Sequence, residues 1–141
     1  MIGQVCTKPA VTTSAETTIA KAAQLMRARN VGALVVAKNG KAKGILTDRD
    51  IAMEVVAKGK DPATVRVGQV MRKPPTVIRE NRGILDATKI LGAKGVRRLP
   101  VVSNGGKLVG IIALDDLLML LGSEMGHIAT ALSRGLRRAR I

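Results

Sequence analysis

The apolar positions of this chain change their spacing at regular points, and each change marks an element. After a Lys8-Pro9 pair, Val11 to Thr13 reads as a short extended segment, since proline disfavours helix in the residue before it. Ile19, Ala22, Ala23 and Met26 then recur at the spacing of one helix face. Two apolar runs follow, "ALVVA" from Ala33 and "KGIL" from Lys43, separated by Asn39-Gly40. An Asn-Gly pair between apolar runs predicts a hairpin. A further helix is expected after Thr47.

The same order then returns. "QVCTKPAVTTSAETTIAKAAQLMRARNVGALVV" from Gln4 aligns with "QVMRKPPTVIRENRGILDATKILGAKGVRRLPVV" from Gln69, matching Lys8 to Lys73, Pro9 to Pro74, Ile19 to Ile84 and Val31 to Val96. With one extra residue in the turn, Gly44, Ile45 and Asp50 match Gly110, Ile111 and Asp116. The second copy has its own extended segment (Thr76 to Ile78), a helix face of Ile84, Ala87, Ile90 and Leu91, the runs "LPVV" and "LVGII" around Asn104-Gly105, and a helix starting near Leu114. A repeat this long predicts a tandem pair, each unit strand, helix, strand, strand, helix. A unit of roughly 60 residues buries little surface alone, so the two are expected to share a core. The expected divisions are residues 1–61, 62–122 and a basic helical tail, 123–141.

Composition narrows the chemistry. Of 141 residues 46% are hydrophobic, yet there is no Phe, Tyr or Trp, so the core must be aliphatic. A base-stacking platform for single-stranded nucleic acid is excluded. Cys6 and His127 stand alone of their kind, which removes intramolecular disulfides and multi-ligand Cys or His metal centres. The start lacks a basic stretch followed by an apolar run, and "LLMLL" at Leu117 falls far short of the ~20 residues of a membrane span. A cytoplasmic location is the expectation. The net charge of +14 asks for an anionic partner without saying which.

"VGALVVAKNGKAKGILTDRDI", "GVRRLPVVSNGGKLVGIIALDDLL" and the Lys-Pro openings resemble a tandem pair of CBS domains, from Met1 to about Gly122. The resemblance implies an α/β fold in which each unit runs β-α-β-β-α, with two small sheets packed together, helices outside and a C-terminal helix added. It also implies two pseudo-symmetric clefts for adenosine-containing ligands: AMP, ADP or ATP, with NAD or S-adenosylmethionine as further candidates. A homodimer is implied as well.

"GILTDRD", Gly44 to Asp50, supports two readings. Thr47 followed three residues later by Asp50 fits a capping box at a helix start. A helix start also offers N–H groups to a phosphate, and an aspartate can accept both ribose hydroxyls. The resemblance implies the ligand role for Thr47 and Asp50, joined from the second unit by Arg97 and Arg98 at the phosphates and by Thr76 and Val77 at the base. Adjacent side chains entering a strand point to opposite sides, so one arginine at most is expected to aim straight into a given cleft. The complementary cleft would combine Asp116 and Ala113 with Gly32, Ala33, Val11 and Thr12. Having lost the hydroxyl and both cations, it is expected to be weak or differently specific.

In the tail, Met125, Ile128, Ala129 and Leu132 keep helical spacing, with Ser123 as a candidate cap and Arg134, Arg137, Arg138 and Arg140 at the end. His127 reads as structural. The leading expectation is a stand-alone regulatory module that senses an adenine nucleotide and signals to a separate, unknown effector protein. The alternative is a basic nucleic-acid-associated protein on the same scaffold. Four serines share one histidine, and the paired aspartates sit at helix starts, so catalysis is not expected.

Overall fold

The computed structural model describes residues 1–139. In the first unit, β1 (Thr12–Thr13) leads through α2 (Ile19–Arg29) to β2 (Ala33–Lys38), β3 (Lys41–Thr47) and α3 (Asp48–Ile51), which widens into a π turn over Ala52–Val56. In the second, β4 (Ile78–Arg79) leads through α4 (Ile84–Lys94) to β5 (Arg98–Val102), β6 (Leu108–Ala113) and α5 (Leu114–Ala139). A short helix α1 (Ile2–Val5) precedes the first unit and a 3-10 turn (Val67–Gln69) the second. Each sheet has three strands, ordered β1-β2-β3 and β4-β5-β6, the first pair parallel and the second antiparallel. A parallel pair needs a crossover, and the amphipathic helices α2 and α4 provide it.

The repeat is thus realised as read, with local departures. Asn39 and Gly40 both take positive φ (53° and 77°), the geometry of the two-residue turn expected there. In the second hairpin the left-handed residue is Gly106 (φ 85°), not Asn104. The amide of Gly106 donates to the Ser103 carbonyl, closing a turn one residue longer than Asn-Gly alone would make. β4 begins at Ile78, so Thr76 and Val77 precede the strand. Both Lys-Pro peptides, at Pro9 and Pro74, are cis.

Contrary to the single shared core expected, each unit has its own aliphatic core, because each core is completed by a piece of the other repeat. Ile2, from the start of the chain, is fully buried with Ile78, Ala87, Leu99 and Leu117 of the second unit. Val67, from the start of the second repeat, is fully buried with Ile19, Leu34, Leu46 and Val55 of the first. The leading segments are exchanged. Each then pairs with the strand that ends its host sheet: Arg72 and Ile45 exchange two backbone hydrogen bonds (3.0 and 3.1 Å), as do Thr7 and Ile111 (2.9 and 3.0 Å). This explains the glycines of "GIL" and "GII". A Cβ on Gly44 would come within 2.7 Å of the Met71 sulfur and 2.9 Å of the Arg72 carbonyl oxygen, and one on Gly110 would collide with the Thr7 carbonyl.

The last helix differs from expectation. α5 is continuous from Leu114 to Ala139, so Ser123 lies inside it instead of capping a new helix. The apolar period of Leu114, Leu117 and Leu121 runs on without a break, and Gly122 does not interrupt it. Arg140 lies outside the described residues. Among the described residues, no helix is long and apolar enough to cross a membrane.

Candidate functional site

The corner between β3 and α3 is built by Thr47 and Asp50. The Asp50 amide donates to Thr47 Oγ1 (3.1 Å) and the Thr47 amide donates to Asp50 Oδ2 (3.0 Å), a reciprocal capping box. Asp50 is 5% exposed, and its remaining oxygen Oδ1 accepts from Arg72 Nε at 3.0 Å. Arg72 arrives on the exchanged leading segment of the second repeat, and its side chain stays 60% exposed. A buried carboxylate needs such partners to remain charged in a low-dielectric site.

Above this corner lies a cavity of about 530 Å³ between the two units. The first unit contributes Thr47, Asp48 and Arg49 to its wall, and the joining segment contributes Arg72 and Thr76. The second unit contributes Arg97, Arg98 and, from the start of α5, Asp115. Four guanidinium groups face two carboxylates, an excess of positive charge in a concave space. Arg97 lies 3.9 Å from Asp115, both largely exposed, so that pairing is weak. Gly32 lies next to two of the lining residues, Asp48 and Arg98, and its carbonyl accepts from the Asp48 amide (2.9 Å). A side chain there would meet the Arg98 guanidinium at 3.0 Å and the Asp48 carboxylate at 3.1 Å.

The structure brings Thr47, Thr76, Arg97 and Arg98 together around this cavity. Both arginines line it, contrary to the expected alternation, because β5 begins only at Arg98 and Arg97 sits in the turn before it. Asp50 lies behind the wall, reached through Arg72. Val77 lines a separate hollow of about 470 Å³ beside Arg79 and Arg82. Val11 and Thr12 line a third space of about 850 Å³ with Lys8, Arg29 and Lys38. Asp116 is exposed and accepts from the Ala113 amide at 3.1 Å, half of a capping box whose hydroxyl half is absent. Ala113 lines the first cavity whereas Val11 and Thr12 line the third, so the residues expected in the complementary cleft are not brought together.

Sequence reasoning missed Asp48, Arg49, Arg72 and Asp115. Arg72 had a visible signal, since it occupies the place of Thr7 in a repeat whose other copy is uncharged there. His127 is exposed on α5, and no cluster of three His, Cys, Asp or Glu side chains that could hold a metal ion occurs among the described residues. Burial pushes the Cys6 thiol above its ordinary value, partly offset by nearby Lys8.

A family model described as the CBS domain matches residues 2–57 and again 67–123. The CBS domain-containing protein YhcV of Bacillus subtilis is 42% identical over 111 residues, which cover 79% of this chain and 78% of that protein. An uncharacterised protein of Methanopyrus kandleri is 33% identical over 120 residues, covering 84% of this chain but only 61% of its own length. Two solved structures share the fold. The CBS domain pair of protein MJ0100, in complex with 5-methylthioadenosine and S-adenosyl-L-methionine, superposes with TM-score 0.79 at 23% identity, covering 88% of this chain and 97% of that one. A CBS domain protein of Pyrobaculum aerophilum complexed with AMP superposes with TM-score 0.76 at 20% identity, covering 86% and 98%.

Proposed function

The chain belongs to the CBS domain family, and on that premise we propose that it is a regulatory module whose cavity between the units takes an adenosine nucleotide bearing phosphate, of the AMP, ADP or ATP class. One observation carries the reading: four arginines from three separate stretches of chain converge on a cavity of about 530 Å³ that holds two carboxylates. That volume suits a mononucleotide, within the ~300–1,000 Å³ of typical small-molecule sites. Guanidinium groups bind phosphate oxygens two at a time, and the excess charge acts against the sulfonium of S-adenosylmethionine. The AMP complex of the Pyrobaculum relative supports the ligand class.

In this reading Arg97 and Arg98 hold the phosphate, with the Thr47 hydroxyl beside them. Thr76 and Val96 border the base, which meets only aliphatic and backbone surface. The ribose hydroxyls compete with Arg72 for Asp50 Oδ1 and turn the guanidinium toward the phosphate. Arg72 sits on the segment that bridges the two cores, so its release alters how the units bear on each other. A ligand shifts that relation only through its different affinity for the two arrangements, and the readout is a separate effector protein.

Titration calorimetry on nucleotide-stripped protein tests the proposal with AMP, ATP, NAD and S-adenosylmethionine. The expected result is one AMP per chain, with S-adenosylmethionine at least about tenfold weaker, as the loss of a charged hydrogen bond would produce. Equal affinity for S-adenosylmethionine, or no heat from any phosphate ligand, would sink it.

A further inference from the structure

Two carboxylates of the cavity take no part in the corner that Thr47 and Asp50 build. Asp48 and Asp115 stand in the first turns of α3 and α5, and both line the cavity. The repeat requires neither of them. Asp48 aligns with Leu114 and Asp115 with Arg49, while the capping acids are Asp50 and Asp116. Acidic side chains at a helix start are favoured by the dipole, which accounts for their charge but not for what they face.

They face the arginine pair. Asp115 Oδ1 lies 3.9 Å from Arg97 Nη2. Asp48 and Arg98 converge from different units on the bare backbone of Gly32, where a Cβ would stand 3.0 Å from Arg98 Nη2 and 3.1 Å from Asp48 Oδ2. Each of the two arginines thus has a carboxylate close by. The rest of the wall leaves little charge to spare. Arg72 is already matched by Asp50, at 3.0 Å. Arg49, Arg97 and Arg98 remain against Asp48 and Asp115, a surplus of one positive charge. A phosphate monoester carries about −1.5 to −2 at neutral pH, which that surplus goes most of the way to balancing. ATP brings about two further negative charges, and these meet carboxylates instead of free cations.

We infer that Asp48 and Asp115 are specificity-determining residues of this cavity, selecting the nucleoside monophosphate against the triphosphate. The inference rests on the nucleotide reading above and names the ligand within its class. The two acids leave a single phosphate within reach of both guanidinium groups and repel the phosphates that would follow it. Both side chains are exposed, so salt keeps each effect small, and the selection is the sum of the two.

Calorimetry with AMP and with ATP, in EDTA and again in excess magnesium, tests it on nucleotide-stripped wild type, Asp48→Asn, Asp115→Asn and the double variant. Asparagine keeps the size and one carbonyl oxygen, so the circular dichroism melt is expected to stay in place. An opposing unit charge about 8 Å away changes an affinity roughly twofold in water, and screening reduces this. Two carboxylates acting on about two added charges therefore make wild type bind AMP about fivefold tighter than ATP at about 0.15 M salt. Each single variant is expected to lose part of that preference and the double variant to lose it all. Glu124→Gln removes the same charge from α5 about 14 Å further along the helix and should leave the ratio unchanged. Equal binding of the two nucleotides by wild type, a preference that survives the double substitution, or one that Glu124→Gln also removes, overturns the inference while the nucleotide site stands. So does magnesium making ATP the tighter ligand in wild type alone, since the carboxylates would then be holding the metal. Heat from neither nucleotide would remove the nucleotide reading itself, and this inference with it.

Discussion

Replacing Asp50 by alanine isolates what the acid does for the β3–α3 corner. Two bonds disappear: the Thr47 amide loses its acceptor at 3.0 Å and Arg72 Nε loses its own at 3.0 Å. The first is a helix cap, worth about 1 kcal/mol. The second is an ion pair with one buried and one largely exposed partner, and water can replace the acid at the guanidinium. It is therefore credited with about 0.5–1 kcal/mol and not the larger penalty of a fully buried pair. The expected loss is about 2 kcal/mol, or roughly 6–8 °C in melting temperature for a chain of this size. The chain has no Trp or Tyr, so the assay is urea unfolding followed by far-ultraviolet circular dichroism. Asp50→Asn keeps one acceptor oxygen, enough for one of the two donors, and about half of the stability should return. An alanine variant within ~0.5 kcal/mol of wild type would show that the corner is held by packing alone, because caps and pairs of this kind exceed that value.

Further outcomes follow from other sites. Gly110→Ala drives a methyl into the Thr7 carbonyl and should cost about 1–3 kcal/mol in the same unfolding assay, whereas Gly92→Ala, in open space on α4, should gain up to ~1 kcal/mol. Equal effects at the two glycines would contradict the close approach of the exchanged segment. Arg98→Ala should weaken AMP about tenfold or more by calorimetry while leaving the urea midpoint within the usual scatter of a surface change, about 0.5 kcal/mol. The raised pKa of Cys6 lowers its thiolate fraction at neutral pH. Its reaction with a disulfide reagent should be slower than that of a free cysteine, and should recover as pH rises or as urea unfolds the chain.

The sequence carried what depends on local pattern and lost what depends on where a segment is sent. The helix faces of Ile19 to Met26 and Ile84 to Leu91 were readable because period and burial agree. Asn39-Gly40 was readable because the turn type demands that pair. Asn104-Gly105 misled, since one added residue moved the left-handed position to Gly106. Nothing near Ile2 or Val67 says which core will take them; both segments are apolar and fit either repeat equally by pattern. That loss hid Arg72, whose approach to Asp50 exists only because the leading segments cross. Of the two readings of Thr47 and Asp50, the capping box is present in the geometry, and the ligand role stays a proposal, with Thr47 on the cavity wall and the Asp50 carboxylate behind Arg72.

The crossed leading segments have a mechanical consequence. Each ties one repeat to the core of the other, Ile2 at one side and Val67 at the opposite one, and each is clamped by a two-bond bridge, Thr7 to Ile111 and Ile45 to Arg72. Drawing the units straight apart would tear both anchors from their cores. Neither unit can therefore be drawn off the other without opening both hydrophobic cores, so the two repeats are expected to unfold together, although each has a core of its own.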